Sequence, residues 1–179
     1  MNILAFAASN SRTSINKALV TCAAGMLEDG ILDNATVEVL DLNDFEMPLF
    51  SVDKEKADGI PDAAHRFYKK IGEADGILVS FAEHNGNYTA AYKNLFDWTS
   101  RINAKVYQGK PAVLLSTSPG GRGGKSVMAA AVGAAPHFAM DVQASFSLPS
   151  FYDNFDSANG QLTEPELQAN LESTLAAFN

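Results

Sequence analysis

Small hydroxyl and amide side chains are concentrated in one polar stretch near the start of the chain, residues 8–16. An apolar segment precedes this stretch, and helical periodicity begins at about Ser14. A strand that ends just before a helix brings hydroxyls, main-chain N–H groups and the positive end of a helix dipole together, which suits a phosphate. The stretch therefore predicts a phosphate-binding loop. The alternative is an ordinary strand-to-helix turn in which Ser14 is only an N-cap.

Two further loops follow apolar strand candidates, at residues 82–88 and 117–124. Both contain glycine, which lets the main chain approach a flat ligand closely and offer N–H donors to ring atoms. Together with the first loop they predict a site for a planar heterocycle that carries a phosphate tail. The alternative is that Asn85-Gly86 and Pro119-Gly120 only form turns.

The elements that position these loops can be predicted from periodicity. Strand candidates lie at residues 2–7, 36–40, 76–81, 111–116 and 141–148. The first, third and fourth are continuously apolar, whereas the second and fifth alternate as edge strands do. With helical crossovers between them, this pattern predicts the order 2-1-3-4-5, a flavodoxin-like doubly wound α/β domain with a five-stranded parallel sheet and helices on both faces. Ligands bind such sheets at the carboxyl ends of the strands, where all three loops lie.

Helices are expected at about residues 14–28, 60–74 and 89–101, then before Pro136, and finally after Thr163. The segment Thr163-Glu164-Pro165-Glu166 has the pattern of a capping box for the last helix. Residues 41–59 show little regular pattern but contain several large apolar side chains, so they either form one wall of a pocket or pack against the body of the domain.

Composition excludes several classes of protein. The chain has 179 residues with 46% hydrophobic side chains, which predicts one domain over residues 1–179. Thirteen basic and 21 acidic residues give a formal charge of -8, which argues against binding to nucleic acid or to an anionic membrane surface. No apolar run reaches the ~18 residues of a membrane span, and no signal peptide is recognisable, so we expect a cytoplasmic protein.

The lone cysteine and the histidines give no sign of metal or thiol chemistry. Cys22 falls on the apolar face of the first helix and is expected to be a packed thiol. His65 and His137 have no ligand spacing with each other or with Cys22, so no metal site is predicted.

Three segments carry a resemblance to a known family: residues 9–16, residues 83–88 followed by Lys93–Trp98, and residues 120–124. They resemble the NAD(P)H-dependent FMN reductase family, and the similarity spans most of the chain, weakest in residues 41–59. The family usually has Gly-Ser at the start of the phosphate loop and Pro-Glu-Tyr-Asn in the second loop. Here Ala8, Ala82 and His84 stand in place of that Gly, Pro and Tyr. Quinone, azo-dye and chromate reductases are similar to this family too.

The resemblance implies an FMN site with three parts. The residues expected to hold the phosphate are Ser9, Ser11, Arg12, Ser14, Ile15 and Asn16. Those expected to line the isoalloxazine, largely through their main chain, are Glu83, His84, Asn85, Gly86, Asn87 and Tyr88. Those expected at its pyrimidine edge are Thr117, Ser118, Gly120 and Gly121.

The implied activity is hydride transfer from NADPH or NADH through bound FMN to a flavin, quinone or similar small acceptor. No catalytic side chain is expected, because the flavin carries the chemistry. Arg12 or Arg122 is a candidate for binding the phosphates of the nicotinamide cofactor, and the alternative for each is a solvated surface arginine. Two rival functions stay open: a flavodoxin-type electron carrier and a non-enzymatic flavin-binding protein.

The helix at residues 89–101 has two apolar stripes, which is more than contact with one sheet face requires. The surplus suggests an interface, and members of the resembled family form dimers or tetramers through this region. A homodimer or homotetramer is therefore expected. Lys93 and Asp97 are four residues apart and are predicted to pair either within the helix or across to a partner.

Overall fold

A parallel sheet forms the centre of the computed structural model, which describes residues 1–178. Its strands are β1 (Asn2–Ala7), β2 (Thr36–Leu40), β3 (Gly76–Ala82), β4 (Lys110–Thr117) and β5 (Met140–Leu148). Their order is 2-1-3-4-5, and every neighbouring pair is parallel. The predicted topology is confirmed, and each predicted strand agrees with the observed one to within a residue at either end.

Burial along the strands follows the predicted division into central and edge strands. Every residue of β3 is buried, as are Ile3–Ala7 of β1 and residues 112–117 of β4. The outer strands β2 and β5 alternate between covered and exposed residues over most of their length. Continuous apolar runs therefore mark strands that are covered on both faces, as expected for a doubly wound sheet.

Helices cover both faces of the sheet and so form two apolar cores. Helices α1 (Ile15–Met26), α2 (Val52–Asp58), α3 (Asp62–Glu73), α4 (Ala90–Ser100), α5 (Lys125–Ala134), α6 (Phe151–Asn154) and α7 (Pro165–Leu175) follow in chain order. One core joins α1 and α7 to the sheet, and the other joins α3, α4 and α5. Side chains of β1 alternate between the two cores, so this strand is held from both sides.

The first helix begins and ends where the sequence predicts. The Ser14 hydroxyl accepts a hydrogen bond from the N–H of Lys17 at 3.3 Å, which makes Ser14 the N-cap. After Met26 the chain continues in a wider π-type turn and leaves the helical path at Gly30, whose φ is 122°. Cys22 of α1 is half-buried and packs against the core that α1 and α7 form with the sheet. Burial raises the pKa of its thiol, so the predicted packed thiol is confirmed.

The segment 41–59 is more regular than predicted. It contains a 3₁₀ turn at Leu42–Phe45 and the helix α2, whose N-cap Ser51 accepts a hydrogen bond from Lys54 N–H. None of the residues of α2 is buried, so the helix leaves no apolar periodicity in the sequence. The prediction of little regular structure here was wrong for that reason.

The predicted capping box before the last helix was also wrong. Helix α7 begins at Pro165, one residue later than a cap at Thr163 requires, because proline favours the first helical position. The Thr163 hydroxyl instead donates to the carbonyl of Asp153 at 3.3 Å. The preceding residues form α6 and a small hairpin, β6 (Phe155–Asp156) and β7 (Gln161–Leu162), neither of which was predicted.

The two apolar stripes of α4 are covered within the chain. Trp98 packs edge-on against Phe50 with ring centroids 4.9 Å apart, and Phe96 packs against Phe138 at 4.6 Å. Lys93 and Asp97 pair within the helix at 2.6 Å, so the first of the two alternatives for this pair is confirmed. Because both stripes have partners inside the protein, their width does not by itself indicate an interface.

Among residues 1–178, no helix combines the length and apolar character needed to cross a membrane.

An ion pair links α1 to the end of β2. Lys17 of α1 binds the carboxylate of Asp41, which also accepts hydrogen bonds from the main chain and side chain of Asn43. The hydrogen bond from Lys17 is the main reason why the pKa of Asp41 falls from 3.8 to about 2. The pair thus connects the helix after the first loop to the start of segment 41–59.

We predict that Asp41→Asn lowers the free energy of unfolding at pH 7 by roughly 0.5–1 kcal/mol, because the pair is partly exposed. A depressed carboxylate pKa stabilises the folded state above the unfolded pKa, and the effect disappears as the pH falls through the folded value. The difference in the free energy of unfolding between wild type and variant should stay constant from pH 7 to about pH 5 and disappear as the pH approaches 2. Urea titrations at several pH values measure it.

Asp33→Asn is the matched control, because Asp33 is exposed and forms no ion pair within the described chain. A loss of unfolding free energy in Asp41→Asn that does not change with pH, or that equals the loss in Asp33→Asn, would show that the Lys17–Asp41 pair does not stabilise the fold.

Candidate functional site

Three loops meet at the carboxyl edge of the sheet, as the strand order requires. In the strand register Ala7 lies opposite Ser80, and Ala82 lies opposite Thr117. The first loop (residues 8–14), the second loop (residues 83–88) and the third loop (residues 118–124) therefore leave the sheet side by side. The predicted convergence of the three loops is confirmed.

The first loop and the start of α1 present main-chain N–H groups and one cation. The first turn of α1 contains no acidic residue. The first main-chain hydrogen bonds of α1 come from the N–H groups of Lys17 and Ala18, so those of Ile15 and Asn16 lack an intrahelical partner. Arg12 is exposed and forms no ion pair with any residue between 1 and 178. This combination of donors and positive charge is suited to an anion.

Hydroxyl groups of the first loop also stabilise the loop itself. The Ser9 hydroxyl is buried and accepts a hydrogen bond from the N–H of Ser11 at 3.2 Å. The N–H of Ser14 donates to the carbonyl of Ser11 at 3.2 Å, which closes a second tight turn. The Ser11 side chain is exposed, and the Ser14 side chain is half-buried at the helix start.

Asn16 lies beneath the first loop and joins it to two strands. Its side-chain oxygen accepts from the Ser80 hydroxyl at 2.8 Å and from the N–H of Thr117 at 3.0 Å. Its side-chain nitrogen donates to the carbonyl of Thr117 at 3.1 Å. The residue is only 2% exposed, so its predicted part in phosphate binding is left to its main-chain N–H group.

The second loop is a tight turn. His84 and Asn87 exchange main-chain hydrogen bonds of 2.9 and 3.1 Å, and the two residues between them, Asn85 and Gly86, have positive φ values of 52° and 78°. Such a turn is the type I′ turn that Asn-Gly favours. All four residues are exposed and so present an accessible main chain at the sheet edge.

The residues that flank this turn point elsewhere. The Glu83 carboxylate accepts from the N–H of Val127 at 2.9 Å and thereby occupies the N-terminus of α5 with a negative charge. Tyr88 is half-buried, and its ring packs 5.1 Å from that of Tyr92. Any contact of these two residues with a ring in the crevice would come from their main chain.

The third loop is held in place on one side and open on the other. Thr117 is buried and its hydroxyl donates to the carbonyl of Leu148, while the Ser118 hydroxyl donates to the carbonyl of Gly120. At Gly123 an added Cβ would lie 2.6 Å from the Leu148 carbonyl, so packing requires glycine there. At Gly120 an added Cβ would have no atom within 4 Å, and at Gly121 the nearest would be the Ser150 hydroxyl oxygen at 3.9 Å, so packing within the chain does not require glycine at these two positions.

A crevice of about 390 Å³ lies beside these loops. It is lined by Asn10 of the first loop, His84 of the second, the N-terminal half of α4 and residues 42–49. The sequence left open whether segment 41–59 lines a pocket, and the structure places part of it on the crevice wall. Asn10 was not among the predicted site residues, because an exposed asparagine in a polar loop gives no distinct signal.

Two side chains of α4 anchor that wall. The side-chain oxygen of Asn94 accepts from the N–H of Phe50 at 2.8 Å, and its nitrogen donates to the carbonyls of Met47 and Pro48. The indole N–H of Trp98 also donates to the Pro48 carbonyl, at 2.7 Å. The Asn-x-x-x-Trp spacing puts both side chains on one helix face, which is the signal that could have revealed this role.

A larger cavity of about 930 Å³ runs along the other side of α1, from Arg12 to the hairpin β6–β7. Its lining residues include none from the second or third loop, so it shares only the first loop with the crevice. Within residues 1–178, no three His, Cys, Asp or Glu side chains are grouped closely enough to hold a metal ion.

The strand order and the three loops at the switch point are those of a flavodoxin-like α/β fold, a fold in which ligands bind at this place. Residues 1–153 match the protein family described as NADPH-dependent FMN reductase. The chain therefore belongs to the NADPH-dependent FMN reductase family, as its resemblance implied.

Individual relatives agree with this family. An NADPH:quinone oxidoreductase of Arabidopsis thaliana is 32% identical over 126 residues, which are 70% of this chain and 62% of that protein. An NAD(P)H-dependent FMN reductase of Pseudomonas aeruginosa is 32% identical over 120 residues, 67% of this chain and 61% of that protein. The matches thus span about three fifths of the length of these relatives.

Solved structures show the same fold. The flavoenzyme NAD(P)H:(acceptor) oxidoreductase FerB from Paracoccus denitrificans superposes with a TM-score of 0.81 over 99% of this chain and 94% of its own, at 23% identity. An NAD(P)H:quinone oxidoreductase from Methanothermobacter marburgensis gives a TM-score of 0.68 over 99% of this chain and 94% of its own, at 18% identity.

We predict that Asn16→Ala lowers the free energy of unfolding by about 3 kcal/mol, because it leaves the Ser80 hydroxyl and both main-chain polar groups of Thr117 without their buried partner. Urea unfolding of the ligand-free protein measures this. Asn10→Ala is the matched control, since Asn10 is exposed, and it should change stability by less than about 0.5 kcal/mol. Equal effects of the two substitutions would contradict the role given to Asn16.

Proposed function

We propose that the protein is an FMN-dependent NAD(P)H oxidoreductase that passes electrons to a flavin, quinone or similar small acceptor. The observation that carries this proposal is the first loop, which leaves the carboxyl edge of the sheet and carries the open N-terminus of α1 together with Arg12, a cation without an ion-pair partner among residues 1–178. In a chain with a formal charge of -8, such a concentration of donors is a specific feature rather than part of a generally basic surface.

The FMN phosphate would bind at the first loop. Its donors would be the main-chain N–H groups of Ile15 and Asn16, the hydroxyls of Ser11 and Ser14, and the Arg12 guanidinium. Ser9 acts through the loop, because its hydroxyl is already bound to Ser11 N–H. The N-terminus of α5 is a weaker candidate for the same phosphate, because the Glu83 carboxylate already caps it.

The isoalloxazine ring would lie between the second and third loops, above the crevice. The turn at residues 84–87 presents an exposed main chain on one side. On the other side Thr117, Ser118, Gly120 and Gly121 would approach the pyrimidine edge. Glycine at positions 120 and 121 has no packing role within the chain, so space for a ligand explains these two residues better than folding does.

When bound, FMN supplies the redox chemistry: it takes a hydride from a reduced nicotinamide and delivers electrons to a second small molecule. The residues of this chain bind and orient the reactants, and we assign no catalytic side chain. Arg12 is the better of the two arginines for the phosphates of NADPH or NADH, because the Arg122 guanidinium is bound to the Ser126 hydroxyl at 3.0 Å. The exposed His84 lines the crevice where the acceptor would enter.

The names of the relatives support the class of acceptor. One is called an NADPH:quinone oxidoreductase, another an NAD(P)H-dependent FMN reductase and a third a 2-hydroxy-1,4-benzoquinone reductase. A flavodoxin-type electron carrier would share the fold and FMN but would not oxidise NAD(P)H. A non-enzymatic flavin-binding protein would bind FMN without turnover.

Steady-state oxidation of NADPH by the purified, FMN-loaded protein separates these functions. We expect many equivalents of NADPH to be consumed when benzoquinone or free FMN is present, and little without an acceptor. Flavin binding without NADPH oxidation would favour the electron carrier. A colourless protein that takes up no added FMN would contradict the proposal as a whole.

We predict that Gly121→Val weakens FMN binding at least tenfold while leaving the free energy of unfolding of the ligand-free protein within about 0.5 kcal/mol of wild type. The reason is that the added side chain has room within the chain and would meet only the ligand. Fluorescence titration of FMN measures the affinity. Gly133→Val, in the exposed part of α5, is the matched control and should not change it.

The remaining parts of the proposal rest on the resemblance and on charge. We propose a homodimer or homotetramer, a cytoplasmic location, a single FMN-binding domain, and no binding to nucleic acid or to membranes. Static light scattering at micromolar concentration tests the assembly, and a monomer would contradict it.

A further inference from the structure

An apolar cavity of about 190 Å³, open to solvent at one edge, lies between α4 and α5, apart from the crevice. Aromatic rings and the small side chains of α5 form its wall, among them Tyr92, Phe96, Tyr107, Ala131 and Phe138. For comparison, an engineered apolar cavity of about 150 Å³ is large enough to bind benzene. The volume is therefore sufficient for a single aromatic ring.

Two of the lining residues, Tyr92 and Tyr107, bring their buried hydroxyl groups together. The hydroxyl oxygens of Tyr92 and Tyr107 are 2.6 Å apart, and these residues are only 4% and 2% exposed. Each hydroxyl carries one hydrogen, and the hydrogen bond between them uses one of the two. Within residues 1–178, no other group accepts a hydrogen bond from either hydroxyl. One buried donor hydrogen is therefore left over.

Both hydroxyls keep their protons at neutral pH. Burial raises the pKa of Tyr92 and of Tyr107 well above the usual value for tyrosine, because the phenolate would be poorly solvated there. The surplus hydrogen is thus a permanent feature of the pair. A buried donor without an acceptor is unfavourable, so an acceptor that entered the cavity would be bound favourably.

The edge of the cavity indicates the charge of its occupant. Lys93, Asp97 and Ser100 of α4 line it towards solvent, and the two charged groups neutralise each other through hydrogen bonds of 2.6 and 2.9 Å. No unpaired charge among the lining residues is available to an ionic ligand. The occupant should therefore be neutral.

We propose that this cavity is a second ligand site, specific for a neutral single-ring aromatic molecule with one oxygen acceptor, of the phenol class. Its ring contacts Phe96, Phe138 and the alanines of α5, and its oxygen accepts the surplus hydrogen of the Tyr92–Tyr107 pair. Tyr88 also lines the cavity and directly follows the second loop, so an occupant touches a residue next to the crevice.

Calorimetric titration of the purified protein, without added FMN, with phenol and with benzene tests the proposal. Phenol should bind about tenfold more tightly than benzene, the ratio that corresponds to one net hydrogen bond. In the double variant Tyr92→Phe/Tyr107→Phe this preference should disappear while benzene binds as before. The single variant Tyr107→Phe keeps one donor and should keep the preference.

Ala131→Leu fills the cavity and should abolish binding of both probes, and Ala134→Leu serves if the first variant does not fold. Equal affinity for phenol and benzene, or a preference that survives the double substitution, would overturn the proposal. Absence of binding by both probes would also overturn it, because the cavity would then not accept a single aromatic ring. Because no probe is a flavin or a nicotinamide, these outcomes do not depend on the function proposed above.

Discussion

The buried amide of Asn16 is the interaction on which the site depends. It connects the first turn of α1 to β3 through Ser80 and to β4 through both main-chain polar groups of Thr117. A second link runs beside it, since the Thr89 hydroxyl donates to the carbonyl of Ala8 at 2.9 Å and ties the start of α4 to the first loop. The three loops are thereby held in fixed positions by polar groups that have no access to water, where unmade hydrogen bonds are costly.

This arrangement separates two roles of the first loop. The buried side chains of Ser9 in the loop and Asn16 in the first turn of α1 maintain the geometry, while the open N–H groups of that turn and Arg12 of the loop stay free to bind an anion. The same division holds on the opposite wall of the crevice. There Asn94 and Trp98 hold segment 47–50 against α4, and apolar side chains of that segment line the space beside His84.

Much of the fold was predictable because hydrophobic pattern and topology agree. Continuous apolar runs in β3 and β4 and alternation in β2 and β5 are enough to order the sheet, and the order places the loops. Helix α2, which has no buried residue, and the small hairpin β6–β7 were not predictable, because neither repeats apolar residues over a recognisable period.

The site was predictable at the level of loops but not of individual side chains. A polar loop before a helix does not reveal which side chains turn inward, so the sequence did not show that the Asn16 side chain is buried and bound to Ser80 and Thr117. Likewise Glu83 belongs to the second loop but caps α5, a contact between residues 44 positions apart that no local pattern signals. The contacts of the α4 stripes with Phe50 and Phe138 could not be predicted either, because these residues are distant in sequence.

We propose that the N-terminus of α1 binds the phosphate of FMN. Calorimetric titration of the ligand-free protein with FMN and with riboflavin, which differ only in that phosphate, is the most direct test. We expect FMN to bind at least a hundredfold more tightly than riboflavin, roughly 3 kcal/mol, because several charge-assisted hydrogen bonds hold the phosphate. Equal affinities for the two flavins would contradict it.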